Sequence, residues 1–566
     1  MICFSFGKVL VYSMVKGNKC SICVIALGLL LNLGSLHAAS PSSEDHDFVV
    51  PVDNDAVHGF SLDWPQLERF YDDRDGAFVW HHEEALTAQG RQLYAWLSAA
   101  ERDGLTSSDY HVNHLRYLVN DVMPDHLLLR ELLMTDGFLR LAKDLRYGHL
   151  DPKVTDPLWL LPDDVFDPLD ALNLALQQNT LPELLDSLSP RSSAYQRLKQ
   201  ALADYRDIRV MGGWQPLEID QTLRPGDEHV RVAALRERLA IEADVGSESV
   251  ENASRFDPAL VETVKRFQRR FGLYEDGAVG PNTLRALNVP VETRIAQILA
   301  NLERWRWLPH ELESQHILVN TAGFDIAVKA EDQVVFHKRT VNGTQERQTP
   351  SFGSRVTHMV ENPLWTVPRS IAVKDLLPKQ QMDNSFLQSK RIRVYRRHGK
   401  DFDEVDPLAI DWSIYHTDNF PFLLRQDSGK GNSLGRVKFY MPNQHAIYLH
   451  DTPAVGLFER PKRAFSSGCV RVENADQLAR LLLQNDGASQ EEQFSQALDT
   501  GETLISPLAH PMPVYLTYFT SWVDGNGDVH FRPDIYQRNV SLMLAMGEGM
   551  DPVTANHAET EDTSSL

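Results

Sequence analysis

The sequence predicts a multi-domain α+β protein. A mainly helical N-terminal part precedes a compact three-helix module, and a mostly-β C-terminal domain carries an inserted segment. Three observations predict this. The 566 residues are enough for about three or four domains at roughly 150 residues each. Apolar residues keep a helical spacing from about Trp64 and switch to strand-like alternation after Ile317. Hydrophobic residues make up 42% and charged residues 24%, ordinary values that exclude a disordered or collagen-like chain. The net charge of −22 lacks the electrostatic footprint of a general nucleic-acid binder.

Residues 1–39 carry Lys8, Lys16 and Lys19 and no acid, then an apolar run from Ile22 to Leu33, then small residues at Ala38-Ala39-Ser40. Basic, apolar, small is the order of a secretory signal, with either Met1 or Met14 as its start. The apolar run is short for a membrane span of ~20 residues, so cleavage is the main expectation and an uncleaved N-terminal anchor the alternative. Three of the four cysteines, Cys3, Cys20 and Cys23, lie in this leader, which leaves Cys469 alone in the mature chain. No internal disulfide can form there. A lone exported thiol is either an inert core residue or a used one.

Residues 40–225 are expected to be a helical scaffold. A helix begins near Gln92, a second carries Leu132, Phe138 and Leu145 and ends before Gly148, and Asp-Pro pairs at 151, 156 and 167 break shorter helices. No chemical motif stands out there. Residues 226–290 read as three helices. Val232, Leu235 and Leu239 share one face. Asp257-Pro258 caps the second helix, Gly272 stops it, and Gly280-Pro281 opens the third. Residues 291–315 read as a connecting helix.

Strands are expected at 317–319, 324–328, 334–336, 437–440, 446–449 and 514–519, with an extended stretch at 363–368. Residues 370–432 are charged and heterogeneous, an inserted subdomain or lid. Asn474 and Gln477 have capping-box spacing ahead of a helix from Ala475 to Gln484. Asp524 to Asp528 reads as a hairpin turn, because a calcium loop needs glycine and glutamate where the chain has Val529 and Ile535. Residues 521–566 complete the chain as a hairpin or helix and a disordered acidic tail.

The chemistry concentrates in YLHDTPAVGLFERPKRAFSSGCVRVENADQLARLLL. His450 ends an alternating strand, so Tyr448 and His450 point to one side. Cys469 follows nineteen residues later, directly after Gly468. A thiol needs a base to become a nucleophile at neutral pH, and imidazole has the right basicity. Gly468 lets the backbone turn its amides toward a developing oxyanion.

Two resemblances follow. VAALRERL with VKRFQRRFGLYEDGAVGPNTLRALN resembles a peptidoglycan-binding domain. The His-to-Ser-x-Gly-Cys-Val-Arg spacing resembles the YkuD-type L,D-transpeptidase catalytic domain. Together with NLERWRWLP, RQTPSFGSRV, NPLWTVPRSI and NSLGRVKFYMPNQHAIYLHDTP, the chain resembles the large multi-domain L,D-transpeptidases of Gram-negative envelopes. Smaller members of that family have His before Gly-Cys and Asn two residues after it; here these are Ser467 and Arg471.

The resemblance implies a catalytic domain at 316–520, capped by the insertion at about 370–432. It implies a periplasmic transferase that joins peptidoglycan stems by 3→3 cross-links through a thioester, without metal or cofactor, and that carbapenems acylate. Cys469 would be the nucleophile, His450 the acid and base, and the Gly468 and Cys469 amides the oxyanion hole. The imidazole's partner would be a backbone carbonyl, with Asp451 pointing away. Arg471, Tyr448, Ser467, Trp365 and Asn432, with Arg425, are substrate-binding candidates. The same domain could instead hydrolyse, as an L,D-carboxypeptidase or as an amidase releasing wall-bound lipoprotein. A non-catalytic wall-binding scaffold is the reading of another class. A zinc peptidase lacks an HExxH-type ligand set, and no placed carboxylate pair marks a glycosidase.

Overall fold

Capping side chains written into the chain set several helix starts. In the computed structural model the described residues are 59–547, except 122, 162–164, 243–251 and 485–486. The leader with its three cysteines and the acidic tail from 548 onward lie outside them. Helix α1 (Pro124–Tyr147) opens on proline and ends at Gly148, whose φ is +90°. A Cβ at Gly148 would stand 2.3 Å from Trp307 Nε1, so glycine is what admits the indole. Asp151 and Asp167 cap the next helices by accepting from Lys153 N (2.8 Å) and Leu169 N (2.9 Å). The helix expected to begin near Gln92 instead runs Ala88–Ser98, because the Thr87 side chain already caps it at Gly90 N. The last scaffold helix is α2 (Ser193–Val210).

The three-helix module consists of α3 (Val230–Ile241), α4 (Pro258–Arg270) and α5 (Pro281–Leu287). Asp257 accepts from Leu260 N at 2.9 Å, and Leu260, Val264, Phe267 and Phe271 are buried. Gln268 ties the following turn together. Its Nε2 donates to Asp276 Oδ1 (2.7 Å) and Ala278 O (2.9 Å), and its Oε1 accepts from Gly277 N (2.9 Å).

Helix α6 (Val291–Arg306) does more than connect. It is buried almost all round, charged residues included. Glu303 accepts from Leu150 N (2.7 Å) and pairs with Arg306 (2.5 Å), while Arg304 donates to Asn539 Oδ1 (2.6 Å). Burial of charge is tolerated only with such partners. One apolar core therefore contains scaffold residues (Tyr195, Leu198), module residues (Leu235, Phe267), α6 (Leu299, Leu302) and the C-terminal Phe531.

The β region has two sheets. The larger contains β1 (Gln315–Asn320), β2 (Asp325–Ala330), β3 (Gln333–Gly343) and β4 (Phe352–Glu361). The smaller belongs to the insertion: β5 (Trp365–Thr366), β6 (Ile392–His398), β7 (Asp401–Val405) and β8 (Phe422–Gln426), in the order β5-β8-β6-β7. The larger sheet resumes with β9 (Val437–Tyr440), β10 (Leu449–His450), β11 (Ala464–Ser466) and β12 (Val470–Val472). Helices α7 (Ala475–Leu483) and α8 (Ala488–Thr500) precede its last strand, β13 (Leu504–Thr517). Its order is β11-β3-β12-β10-β9-β4-β13-β1-β2, and β2 also pairs with β3. The hairpin β14 (Ser521–Val523) and β15 (Val529–Phe531) follows, then α9 (Asn539–Ala545).

Three expectations need correction. The insertion has its own core, including Trp365, Val394, Trp412 and Leu424, so it starts at β5 rather than at 370. The strand expected at 446–449 is shortened to Leu449–His450, because Ala446 takes a positive φ and turns the chain. Asn474 likewise adopts φ +51° and makes no side-chain cap, so the capping box does not form. The Asp524–Asp528 segment is a hairpin turn, with Asp524 accepting from Asn526 N (2.8 Å) and Asp528 N (3.0 Å). Among the described residues no helix is long and apolar enough to cross a membrane.

Candidate active site

Sheet register assembles the site. Strands β10 and β12 run parallel, with Leu449 opposite Val470 and His450 opposite Arg471. Strands β9 and β10 run antiparallel, with Lys438 opposite His450 and Phe439 opposite Leu449. Paired residues share a face, and faces alternate along a strand. Phe439, Leu449 and Val470 therefore go into the core beside Leu478 and Leu482 of α7. Tyr448, His450, Cys469, Arg471 and Lys438 share the opposite face. The Tyr448 and His450 rings lie 5.6 Å apart, and Lys438 Nζ stands 4.1 Å from the Tyr448 ring centroid.

The loop that carries Cys469 is held from several sides. Gly468 has φ +116°, a conformation other residues rarely adopt. Its carbonyl accepts from Thr349 Oγ1 at 2.8 Å, and its amide donates to Ser466 Oγ at 3.1 Å. Ser466 Oγ in turn donates to the Cys469 carbonyl at 2.5 Å. The thiol is half-buried and donates to Ala446 O at 3.8 Å. Of the two amides expected to face an oxyanion, that of Gly468 is thus engaged by Ser466 in this state.

Electrostatics keep both candidate groups neutral. Burial pushes the Cys469 thiol up, against the Tyr448 backbone and hydroxyl and the charges of Lys438 and Arg471, which favour thiolate. Burial and the neighbouring Arg471 push His450 down to about 3. His450 Nδ1 donates to the Asp451 carbonyl at 2.5 Å. That leaves Nε2 as the basic nitrogen. Asp451's carboxylate turns away and accepts from Arg436 N at 2.8 Å.

The remaining expected residues divide. Ser467 accepts from Arg347 Nη1 (2.8 Å), and Arg347 also grips Asp375 of the insertion at 2.5 and 2.7 Å. Trp365 and Tyr448 pack in the same cluster, which joins the insertion to the site face. Asn432 is not a site wall. It is fully buried, donates to Pro363 O (3.0 Å) and Asp427 O (2.9 Å), and accepts from Leu434 N (2.7 Å). Arg425 lies on the insertion sheet, 5.6 Å from the Tyr395 ring.

Sequence reasoning missed Lys438, Arg347, Asp375 and Thr349. Lys438 left a faint signal, a cation alternating with Val437 and Phe439 in a strand. The Arg347–Asp375 pair left none, because its members belong to separate elements.

Comparison with known proteins fits this geometry. Residues 314–495 match the family described as L,D-transpeptidase catalytic domain, residues 228–287 one described as "Putative peptidoglycan binding domain", and residues 65–202 one described as scaffold domain. The chain thus carries a YkuD-type L,D-transpeptidase catalytic domain together with a peptidoglycan-binding domain. A Haemophilus influenzae protein named "Putative L,D-transpeptidase" is 38% identical over 255 residues, covering 45% of this chain and 50% of the relative. The chain thus matches about half the length of that curated relative. Among solved structures, an L,D-transpeptidase from Stackebrandtia nassauensis aligns at 10% identity over 53% of this chain and 96% of its own, with a TM-score of 0.21. One from Xylanimonas cellulosilytica aligns at 15% identity over 53% and 98%, with a TM-score of 0.17.

Proposed function

We propose that this protein is a peptidoglycan L,D-transpeptidase that forms 3→3 cross-links in the periplasm through a thioester on Cys469. The observation that supports it is the shared sheet face of Cys469, His450 and Tyr448 within the domain that matches the L,D-transpeptidase family. Cys469 Sγ attacks the carbonyl of the L-centre of diaminopimelate in a tetrapeptide donor. His450, neutral at physiological pH, takes the thiol proton as the C–S bond forms. Because burial disfavours a standing thiolate–imidazolium pair, proton transfer and attack are coupled.

The Cys469 amide faces the oxyanion, and the Gly468 amide joins it once it leaves Ser466 Oγ. Collapse breaks the amide bond, His450 returns the proton to the departing amine, and D-Ala leaves. The side-chain amine of a second stem then attacks the thioester while His450 accepts its proton; the C–S bond breaks and His450 returns that proton to Cys469 Sγ. The insertion caps the cleft and limits access of water. The three-helix module presents the wall to the site, and carbapenems acylate the same sulfur.

The test is incubation of the protein with disaccharide-tetrapeptide, product analysis by mass spectrometry, and Cys469→Ala in parallel. A cross-linked dimer lacking one D-Ala, made by the wild type alone, is the expected result. Tripeptide with D-Ala and no dimer would replace the proposal by a carboxypeptidase. No turnover would leave lipoprotein release or wall binding without catalysis as the remaining activities.

A further inference from the structure

Two cations flank the thiol without a carboxylate to answer them. Lys438 and Arg471 project from the sheet face that carries Cys469, one from each side of β10, as opposite neighbours of His450. Neither forms an ion pair among the described residues, unlike several other arginines of the domain. Arg339, for example, holds both Glu459 and Glu473, and Arg347 holds Asp375. Arg471 Nε is buried and has no hydrogen-bond partner. Lys438 is pinned over the Tyr448 ring at 4.1 Å, which fixes its ammonium beside the thiol instead of letting it reach bulk water. Both groups are held below their ordinary range, chiefly by burial, and Cys469, when it ionises, opposes that shift in each. Two partly desolvated cations at fixed positions form a site for an anion that arrives with the substrate.

We propose that Lys438 and Arg471 form a carboxylate subsite that reads the free C-terminal carboxylate one residue beyond the scissile bond. This deepens the proposed function and rests on it. In a peptide cleaved at its last bond, that carboxylate is separated from the scissile carbonyl by one nitrogen and one carbon. A cation near the attacking sulfur can therefore reach it. The subsite would make the enzyme specific for release of a terminal amino acid, and a chain extended or amidated at that end would lose the contact.

The experiment has two arms that fail independently. The first compares alkylation of Cys469 by iodoacetate and by iodoacetamide, followed by mass spectrometry of the Cys469 peptide. The two probes differ in charge, and no transpeptidase activity is needed. In wild type the ratio of anionic to neutral rates should exceed that of a free thiol, and Lys438→Gln should lower it by about five- to tenfold, with Lys438→Arg restoring it. Equal loss of both rates would mean that Lys438 only favours thiolate, and would overturn the subsite.

The second arm measures kcat/KM for the tetrapeptide and for its C-terminal amide. Wild type should prefer the acid, and Lys438→Gln should remove most of that preference. Turnover of acid and amide at equal rates by the wild type would overturn the inference while leaving the transpeptidase reading intact. No turnover of either, with a charge-dependent alkylation ratio, would overturn the transpeptidase reading alone.

Discussion

His450 and Arg471 stand opposite one another in parallel strands β10 and β12, so a guanidinium is the fixed neighbour of the candidate base. With burial, that neighbour holds the imidazole neutral down to about pH 3. An unfolded histidine takes up a proton near pH 6.5. Between those values the unfolded chain binds one more proton than the native one. Acidification from pH 6.5 toward 3 therefore favours unfolding, by about 1.4 kcal/mol per pH unit from this group alone. Urea midpoints at pH 7.5, 5.5 and 4.5 should fall more steeply for wild type than for His450→Gln. Parallel curves would show that His450 is not kept neutral.

The thiol gives a second pH signature. Burial raises Cys469 above an ordinary cysteine despite Lys438 and Arg471. The rate of Cys469 alkylation by iodoacetamide should therefore rise on the alkaline side of the profile for a free thiol. Arg471→Gln should move the midpoint further up, because a charge that favours thiolate is removed. A wild-type midpoint below that of free cysteine would indicate a preformed thiolate and a different activation mechanism.

Arg347 couples the insertion to the Cys469 loop by holding Asp375 and Ser467 together. Its ion pair is about one-third exposed, so it contributes at most about 1 kcal/mol to stability. Arg347→Ala should leave Tm nearly unchanged while lowering kcat/KM at least tenfold, since displacing reacting groups by about 1 Å can cost ~100-fold. Asp375→Asn should follow it in part. Activity unchanged in both would remove the coupling.

Glu242 makes the three-helix module inseparable from the rest. Its side chain is buried among Arg238 (2.8 Å) and Arg270 (3.9 Å), and it accepts from the Tyr205 hydroxyl of α2 at 2.5 Å. Phe271 of the module stacks on Phe531 of the C-terminal hairpin, their centroids 5.5 Å apart. Glu242→Ala should destabilise the protein by about 3–5 kcal/mol, because it leaves buried guanidinium groups without their counter-charge. Deleting 229–289 should lower the unfolding temperature of the catalytic domain, not only weaken sacculus binding. Thermal unfolding of the two variants checks this, and a catalytic domain of unchanged stability would show that the shared core contributes little.

Much of this was legible along the chain. Asp257-Pro258, Gly272 and Gly280-Pro281 bound their helices through local hydrogen bonding and local φ, which depend on neighbours in sequence. Alternation placed Tyr448 and His450 on one face for the same reason. Cys469, the one cysteine after residue 39 and directly after a glycine, marked the nucleophile candidate. The capping box at Asn474 and the strand through Ala446 misled because both residues adopt a positive φ within a folded-back loop, and composition does not report that.

What the sequence by itself determined is the local grammar: helices and their ends, the alternating strands, and the pair of residue types that a thiol acyl transfer needs. The tertiary structure alone decided which residues stand beside them. Lys438 reaches the site through an antiparallel register and Arg471 through a parallel one. Arg347 bridges an insertion to a loop 120 residues away, and Asn432 turns inward to hold the end of the insertion. Strand register and long-range burial are settled by the packing of the whole sheet. The charge environment of Cys469 and His450, which sets their protonation, therefore exists only once the chain has folded.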